Sequence, residues 1–121
     1  NLRRPEYLDF VFSQIPSGWL GFCYDAGHEN CYTQGADLLS RYGSKLMALH
    51  LHDNDGSGDQ HRIPGDGTID WQALQAGLKR SGYPGAIALE VIHENGDPET
   101  AESYLKRALD SARQLFGEFN S

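Results

Sequence analysis

Apolar and polar positions alternate along this chain in two periods, and together they set out an order of elements. Pro5 opens a helical pattern in which Tyr7, Leu8, Val11, Phe12 and Ile15 form one stripe, ended by Pro16-Ser17-Gly18. Residues 20–24 read as a short buried strand that turns polar only at its far end. A shorter helix over 35–42 carries Leu38, Leu39 and Tyr42. The run "KLMALHLHDN" is a second apolar strand with a polar end.

A long glycine-rich loop follows, then "TIDWQALQAGLKRSGY". Here Asp70 is the expected N-cap, Trp71, Leu74 and Leu78 form the stripe, and Gly82 supplies the stop. "GAIALEVIH", residues 85–93, predicts a third buried strand with Glu90 late in it. The closing helix is expected to be capped by Asp97 and opened by Pro98, with Ala101, Tyr104, Leu105, Ala108, Ala112 and Leu115 facing inward.

The order is α-β-α-β-α-β-α. Apolar strands alternating with amphipathic helices imply a parallel sheet covered by helices. Residues 1–121 read as a single domain of class α/β, with about three parallel strands and four helices. Three strands are few for an independent α/β domain, so part of a larger barrel or sheet is expected. In such sheets chemistry gathers at the C-terminal ends of the strands.

Composition narrows the choice of chemistry. The 121 residues are 39% hydrophobic and 22% charged, with a formal net charge of −7. No apolar run has the length of a membrane span, and "NLRRPEYLDF" lacks the apolar core of a signal peptide. The ten basic residues are scattered, which argues against a phosphate-backbone partner. Two isolated cysteines, Cys23 and Cys31, indicate neither a disulfide framework nor a zinc ribbon, and a reduced, cytoplasmic setting is expected.

Each predicted strand ends in groups suited to metal or proton chemistry. Asp25 and His28 follow the first, His50, His52 and Asp53 lie on the second, and Glu90, His93 and Glu94 end the third. Aligned parallel strands would bring these onto one rim, where imidazoles and carboxylates suit a divalent cation (Zn, Mn, Co or Mg). The period of two puts His50 and His52 on one face and Leu49, Leu51 and Asp53 on the other. His50 is expected to be the ligand because it sits deeper, with His52 turned along the rim or bonded to a neighbour. Asp53 and Asn54 read as rim and turn residues.

Plainer explanations compete. A histidine within a strand is most often a hydrogen-bonded core residue. "DNDGSGD" is an ordinary turn-rich loop and lacks the closing glutamate of a calcium-binding hand. Glu90 is harder to explain away, because a carboxylate buried inside "AIALEVI" is costly without a partner.

Taken together, "GFCYDAGHEN", "ALHLHDNDGSGDQHRIPGDGTIDW" and "AIALEVIH" resemble the xylose isomerase-like TIM barrel superfamily, which holds sugar isomerases and epimerases and the endonuclease IV class. The resemblance implies a partial TIM (β/α)8 barrel corresponding to strands six to eight. It implies a divalent metal held by Asp25, His50 and Glu90, with a further glutamate expected just before Asn1.

By the same resemblance a sugar or sugar phosphate is isomerised or epimerised through a cis-enediolate, with Glu90 moving the proton. His28 would orient substrate and Arg62 would bind a hydroxyl or phosphate. The endonuclease IV resemblance instead makes Asp59 and His61 further metal ligands in a zinc cluster that cleaves abasic DNA. A third reading is an inactive half-barrel that self-associates or awaits a missing N-terminal half.

Overall fold

The computed structural model describes residues 4–94 and 96–117. The expectation concerning Asn1 and the position before it lies outside the described residues. Helix α1 (Pro5–Gln14) opens on its proline and buries Leu8, while Tyr7 and Ile15 stay exposed, so its buried stripe is narrower than the pattern suggested. Phe12 packs against Tyr42, their ring centroids 5.7 Å apart.

Strand β1 (Phe22–Asp25) and strand β2 (Leu46–His50) pair in parallel. β1 starts two residues later than the apolar run implied. Phe22 and Tyr24 point into the core, and Cys23 and Asp25 point the other way. The register sets Cys23 beside Ala48 and Asp25 beside His50.

The expected third strand is only partly realised. Leu51 forms a parallel bridge with Leu89, through Leu51 N–H to Ala88 O (3.0 Å) and Glu90 N–H to Leu51 O (2.9 Å). The pairing ends there because Asp53 and Arg62 exchange both backbone hydrogen bonds, 2.8 and 2.9 Å, and draw the chain into the loop. The segment still keeps the period of two, with half-buried Ile87, Leu89 and Val91 alternating with exposed Ala88, Glu90 and Ile92. Glu90 therefore lies on the open face, its side chain 45% exposed, and not inside an apolar core as its neighbours implied.

Five α-helices are present among the described residues, one more than the pattern indicated. The addition is α2 (Ala26–Tyr32), capped by Asp25, whose Oδ1 accepts the His28 N–H at 2.8 Å. Its residues "AGHENCY" lack an apolar stripe, so periodicity did not reveal it. Helix α3 (Leu38–Tyr42) is shorter than the expected 35–42. Helix α4 (Trp71–Ser81) matches expectation: Asp70 accepts the Ala73 N–H at 2.9 Å, and Gly82 ends it at φ 67°.

Helix α5 (Ala101–Phe116) starts later than expected. Thr100 caps it, while Asp97 accepts the Glu99 N–H in the preceding turn. Tyr104, Ala108 and Phe116 face inward, whereas Leu105 is 62% exposed.

The main core joins Phe22, Tyr24, Leu46, Leu49 and Leu51 of the sheet side to Leu8, Leu39, Tyr42, Trp71, Leu74, Leu78 and Phe116 of the helices. All helices named there lie on one side of the strands, which leaves the Cys23–Asp25–His50–Glu90 face open among the described residues. Among the described residues no helix is long and apolar enough to cross a membrane.

Candidate metal centre

Three strand ends build the first donor group. Asp25 ends β1, His50 ends β2 in register beside it, and Glu90 is placed by its backbone bond to Leu51. One donor atom from each lies within 4.8 Å of the others, and His50 Nδ1 is 3.1 Å from Glu90 Oε2. The expected trio is brought together. The reason given for choosing His50 needs correction, because its side chain is 51% exposed and His52 is the buried one. His50 joins this group because it stands beside Asp25 on the open face, not because it is deep.

The geometry of this trio suits a catalytic metal better than a structural one. Three protein donors with an open side leave coordination positions for another ligand. Burial tends to raise the Asp25 carboxyl, but nearby His52 and the His28 amide and ring outweigh it and hold the pKa below the usual aspartate value. Asp25 is thus a carboxylate at neutral pH, as a ligand must be. Below it on the same face, burial and the charges of Asp25 and Glu90 raise the Cys23 thiol.

A second group stands behind the first: His28, His52, Asp59 and His61, again with donors within 4.8 Å. Asp59 is central. Its Oδ2 lies 3.0 Å from His28 Nε2, and its Oδ1 lies 3.2 Å from His61 Nε2 and 3.7 Å from His52 Nε2. The His52 and His61 rings stack at 3.9 Å and 10°. His28 joins the two groups, since its Nδ1 is 2.8 Å from Asp25 Oδ2. Both His28 nitrogens are engaged within these groups, so the substrate contact assigned to it by resemblance would require exchange of one of them.

His52 is the residue that sequence reasoning undervalued. It is completely buried, and its Nε2 lies 3.2 Å from Asp25 Oδ1, yet neither ring nitrogen has a well-directed hydrogen bond. Burial opposes its charge, but Asp25, Asp59 and Glu90 together raise its pKa above the ordinary histidine value. Gly27 makes room for it: a Cβ there would lie 1.9 Å from His52 Cε1. The glycine in "DAGH" was the available signal, legible only once its neighbour is known.

His61 adopts a left-handed backbone, φ 50°, which costs a non-glycine residue roughly 1–3 kcal/mol. Its Nδ1 lies 2.7 Å from the Glu90 carbonyl, and its own carbonyl accepts the Ile92 N–H at 3.0 Å. Asp53 and Asn54 are buried organisers and not rim residues. Asp53 accepts hydrogen bonds from Trp71 Nε1 and the backbone of Asn54, Gly65 and Ile69, and Asn54 Nδ2 donates to Gly27 O.

Arg62 is turned onto Asp55 (3.0 Å) and the Asp66 carbonyl (3.3 Å), lining a cavity of about 580 Å³ with Gln60, Tyr104 and Arg107. His93 bonds the Glu99 carbonyl at 2.8 Å, and Glu94 lines that same cavity.

The family model for the xylose isomerase-like TIM barrel matches residues 3–115, nearly the whole chain. The chain belongs to the xylose isomerase-like TIM barrel family. Within it, a fructoselysine 3-epimerase of Escherichia coli O157:H7 is 32% identical over 72% of this chain and 32% of its own length. A D-psicose 3-epimerase of Enterocloster bolteae is 30% identical over 93% of this chain and 41% of its own. A solved D-tagatose 3-epimerase-like protein superposes with a TM-score of 0.72 at 26% identity, covering 98% of this chain and 42% of that one. The chain thus spans less than half the length of each of these xylose isomerase-like proteins.

Proposed function

We propose that this chain supplies the metal-binding rim of a sugar epimerase or isomerase that moves a proton on the carbon next to a ketose carbonyl. The observation that carries the reading is the convergence of Asp25, His50 and Glu90 from three successive strand ends. The epimerase relatives support the substrate class, a ketose or ketose derivative.

A divalent cation held by Asp25, His50 and Glu90 would polarise the substrate oxygens and so acidify the neighbouring C–H. The chain's own residues do the rest. Asp25, held as a carboxylate, and His50 fix the position of that charge. Glu90, half-exposed on the open face, would take a proton from the carbon and return it. Removal of that proton leaves a cis-enediolate. Return of the proton by Glu90 to the adjacent carbon on the same face would isomerise the sugar. Inversion of the centre requires a second proton donor on the opposite face, a role for a residue other than Glu90. Arg62 would reach a distal hydroxyl or phosphate by exchanging its bond to Asp55.

The nuclease reading has the Asp59–His61 pair in its favour. The charge of −7 and the scattered basic residues count against an extended DNA contact.

The test is solvent-deuterium exchange into a ketohexose by the metal-loaded, full-length protein. Glu90→Gln is expected to slow exchange by roughly 10²–10⁴-fold. Exchange at an undiminished rate would overturn the role of Glu90, and cleavage of an abasic duplex without exchange would favour the nuclease.

A further inference from the structure

We propose that the cavity between the 60–66 loop and helix α5 is a subsite for the distal end of the substrate. It selects a ketose that carries an amino-acid group, a carboxylate beside an ammonium. The inference rests on the epimerisation reading and narrows its substrate class.

The cavity is continuous with the trio. Ile92 follows Glu90 on the exposed face of the third segment, and its N–H bonds the His61 carbonyl at 3.0 Å. His61 Nδ1 in turn holds the Glu90 carbonyl, and the chain neighbours of His61, Gln60 and Arg62, line the cavity with Ile92 and Glu94. A ligand on Glu90 that extends along Ile92 enters this opening. Its volume, about 580 Å³, lies within the roughly 300–1,000 Å³ of small-molecule sites.

Arg62 comes from the loop and Arg107 from α5, and both lean on Asp66. Arg62 Nη1 donates to the Asp66 carbonyl at 3.3 Å, and Arg107 Nη1 donates to Asp66 Oδ2 at 2.5 Å. Each makes one further bond of 3.0 Å, to Asp55 and Glu99 respectively. A guanidinium offers five N–H donors in a fixed fork, so neither is exhausted. A carboxylate is a planar acceptor that fits such a fork.

The opposite charge is present as well. The exposed Glu94 carboxylate lines the same cavity and has no hydrogen bond or ion pair among the described residues.

Charge decides between ligands. The walls set two guanidiniums against the carboxylates of Asp66, Glu94 and Asp97, with Asp55 and Glu99 bonded to the arginines from outside. A phosphate dianion there meets more negative charge than positive, and a plain ammonium meets both arginines. A zwitterion sets its carboxylate on a guanidinium and its ammonium on Glu94, and it brings no net charge. Rejection of the wrong ligands by unpaired like charge is how such a site discriminates. Ile63, Ile92 and Tyr104 give an apolar wall for the aliphatic chain between sugar and amino acid.

The experiment compares solvent-deuterium exchange by the metal-loaded, full-length protein on four ketoses. They are fructose, fructose 6-phosphate, 1-deoxyfructose joined through C1 to the side-chain amine of ornithine, and that conjugate acetylated on its α-amine. Binding of each is followed in parallel by calorimetry. The zwitterionic conjugate is expected to exceed fructose and the acetylated form at least tenfold in kcat/KM, while fructose 6-phosphate does not exceed fructose. Glu94→Gln should cut the ratio of conjugate to fructose at least tenfold. Glu94 carries this test because its side chain bonds nothing in the fold, whereas Arg107 also ties α5 to the loop.

A preference for fructose 6-phosphate, equal reaction of the acetylated conjugate, or an unchanged ratio in Glu94→Gln would each overturn the subsite and leave the epimerase reading intact. Conjugate binding that Glu94→Gln weakens, without exchange into any sugar, would uphold the subsite and defeat the epimerase reading. Neither binding nor exchange would defeat both.

Discussion

Asp53 shows how one side chain can organise a rim without joining its chemistry. Its carboxylate is fully buried and satisfied by the Trp71 indole and three backbone amides. A Cβ on Gly67 would lie 2.2 Å from Asp53 Oδ1, so the loop closes directly over it. Asp53→Ala leaves four donors unpaired at once, and a loss of about 3 kcal/mol or more is expected from urea unfolding. An effect below 1 kcal/mol would mean that water replaces the carboxylate. The strand period did place Asp53 opposite His50 and His52, but it could not show what stood on that side. His52 was misjudged for the same reason, since its importance comes from Asp25, Gly27, Asp59 and His61, none within the span of a strand.

At the scale of elements, local rules worked where the determinant was local. Asp70 and Gly82 bound α4 as their chemistry requires. Asp97 was the wrong cap for α5 because its carboxylate is used in the turn ahead, two residues on, while Thr100 reaches the Ser103 amide. Connections between helices depend on side chains distant in sequence. Tyr42 of α3 shares its hydroxyl proton between Asp9 Oδ1 (2.7 Å) and the Pro5 carbonyl (3.0 Å) of α1.

Burial and the neighbouring Asp9 push the Tyr42 phenol up to about 12 from its ordinary 10.0. A raised phenol pKa favours the neutral form in the fold, so this contribution is whole below pH 10 and is lost as pH rises towards 12. Tyr42→Phe should therefore cost about 1 kcal/mol at neutral pH. It should also flatten the decline of stability over that alkaline interval, followed by denaturant melts with tyrosinate absorbance. A decline of unchanged steepness would assign it to another group.

Among the described residues, one face of the strands is uncovered. Cys23, Met47, His50 and Glu90 are exposed along it, and Phe10, Trp19, Leu105 and Leu109 are exposed elsewhere. Open strand edges and exposed apolar side chains favour pairing with other polypeptide. Light scattering of the 121-residue chain on its own is expected to show association that grows with concentration. A monodisperse monomer at high concentration would contradict that expectation.

The parallel arrangement and the gathering of carboxylates and imidazoles at the strand ends were legible in the residues themselves, while the choice of Asp25, His50 and Glu90 among them came from the family resemblance. The reason is that strand period and the alignment of parallel C-termini are short-range geometric rules. The pairing of His28 with Asp25 and Asp59, the burial of His52 behind Gly27 and the left-handed turn at His61 were decided only by tertiary structure. Apart from the short-range His28–Asp25 contact, those features depend on contacts across 25 to 31 residues, where no local period constrains which side chains meet.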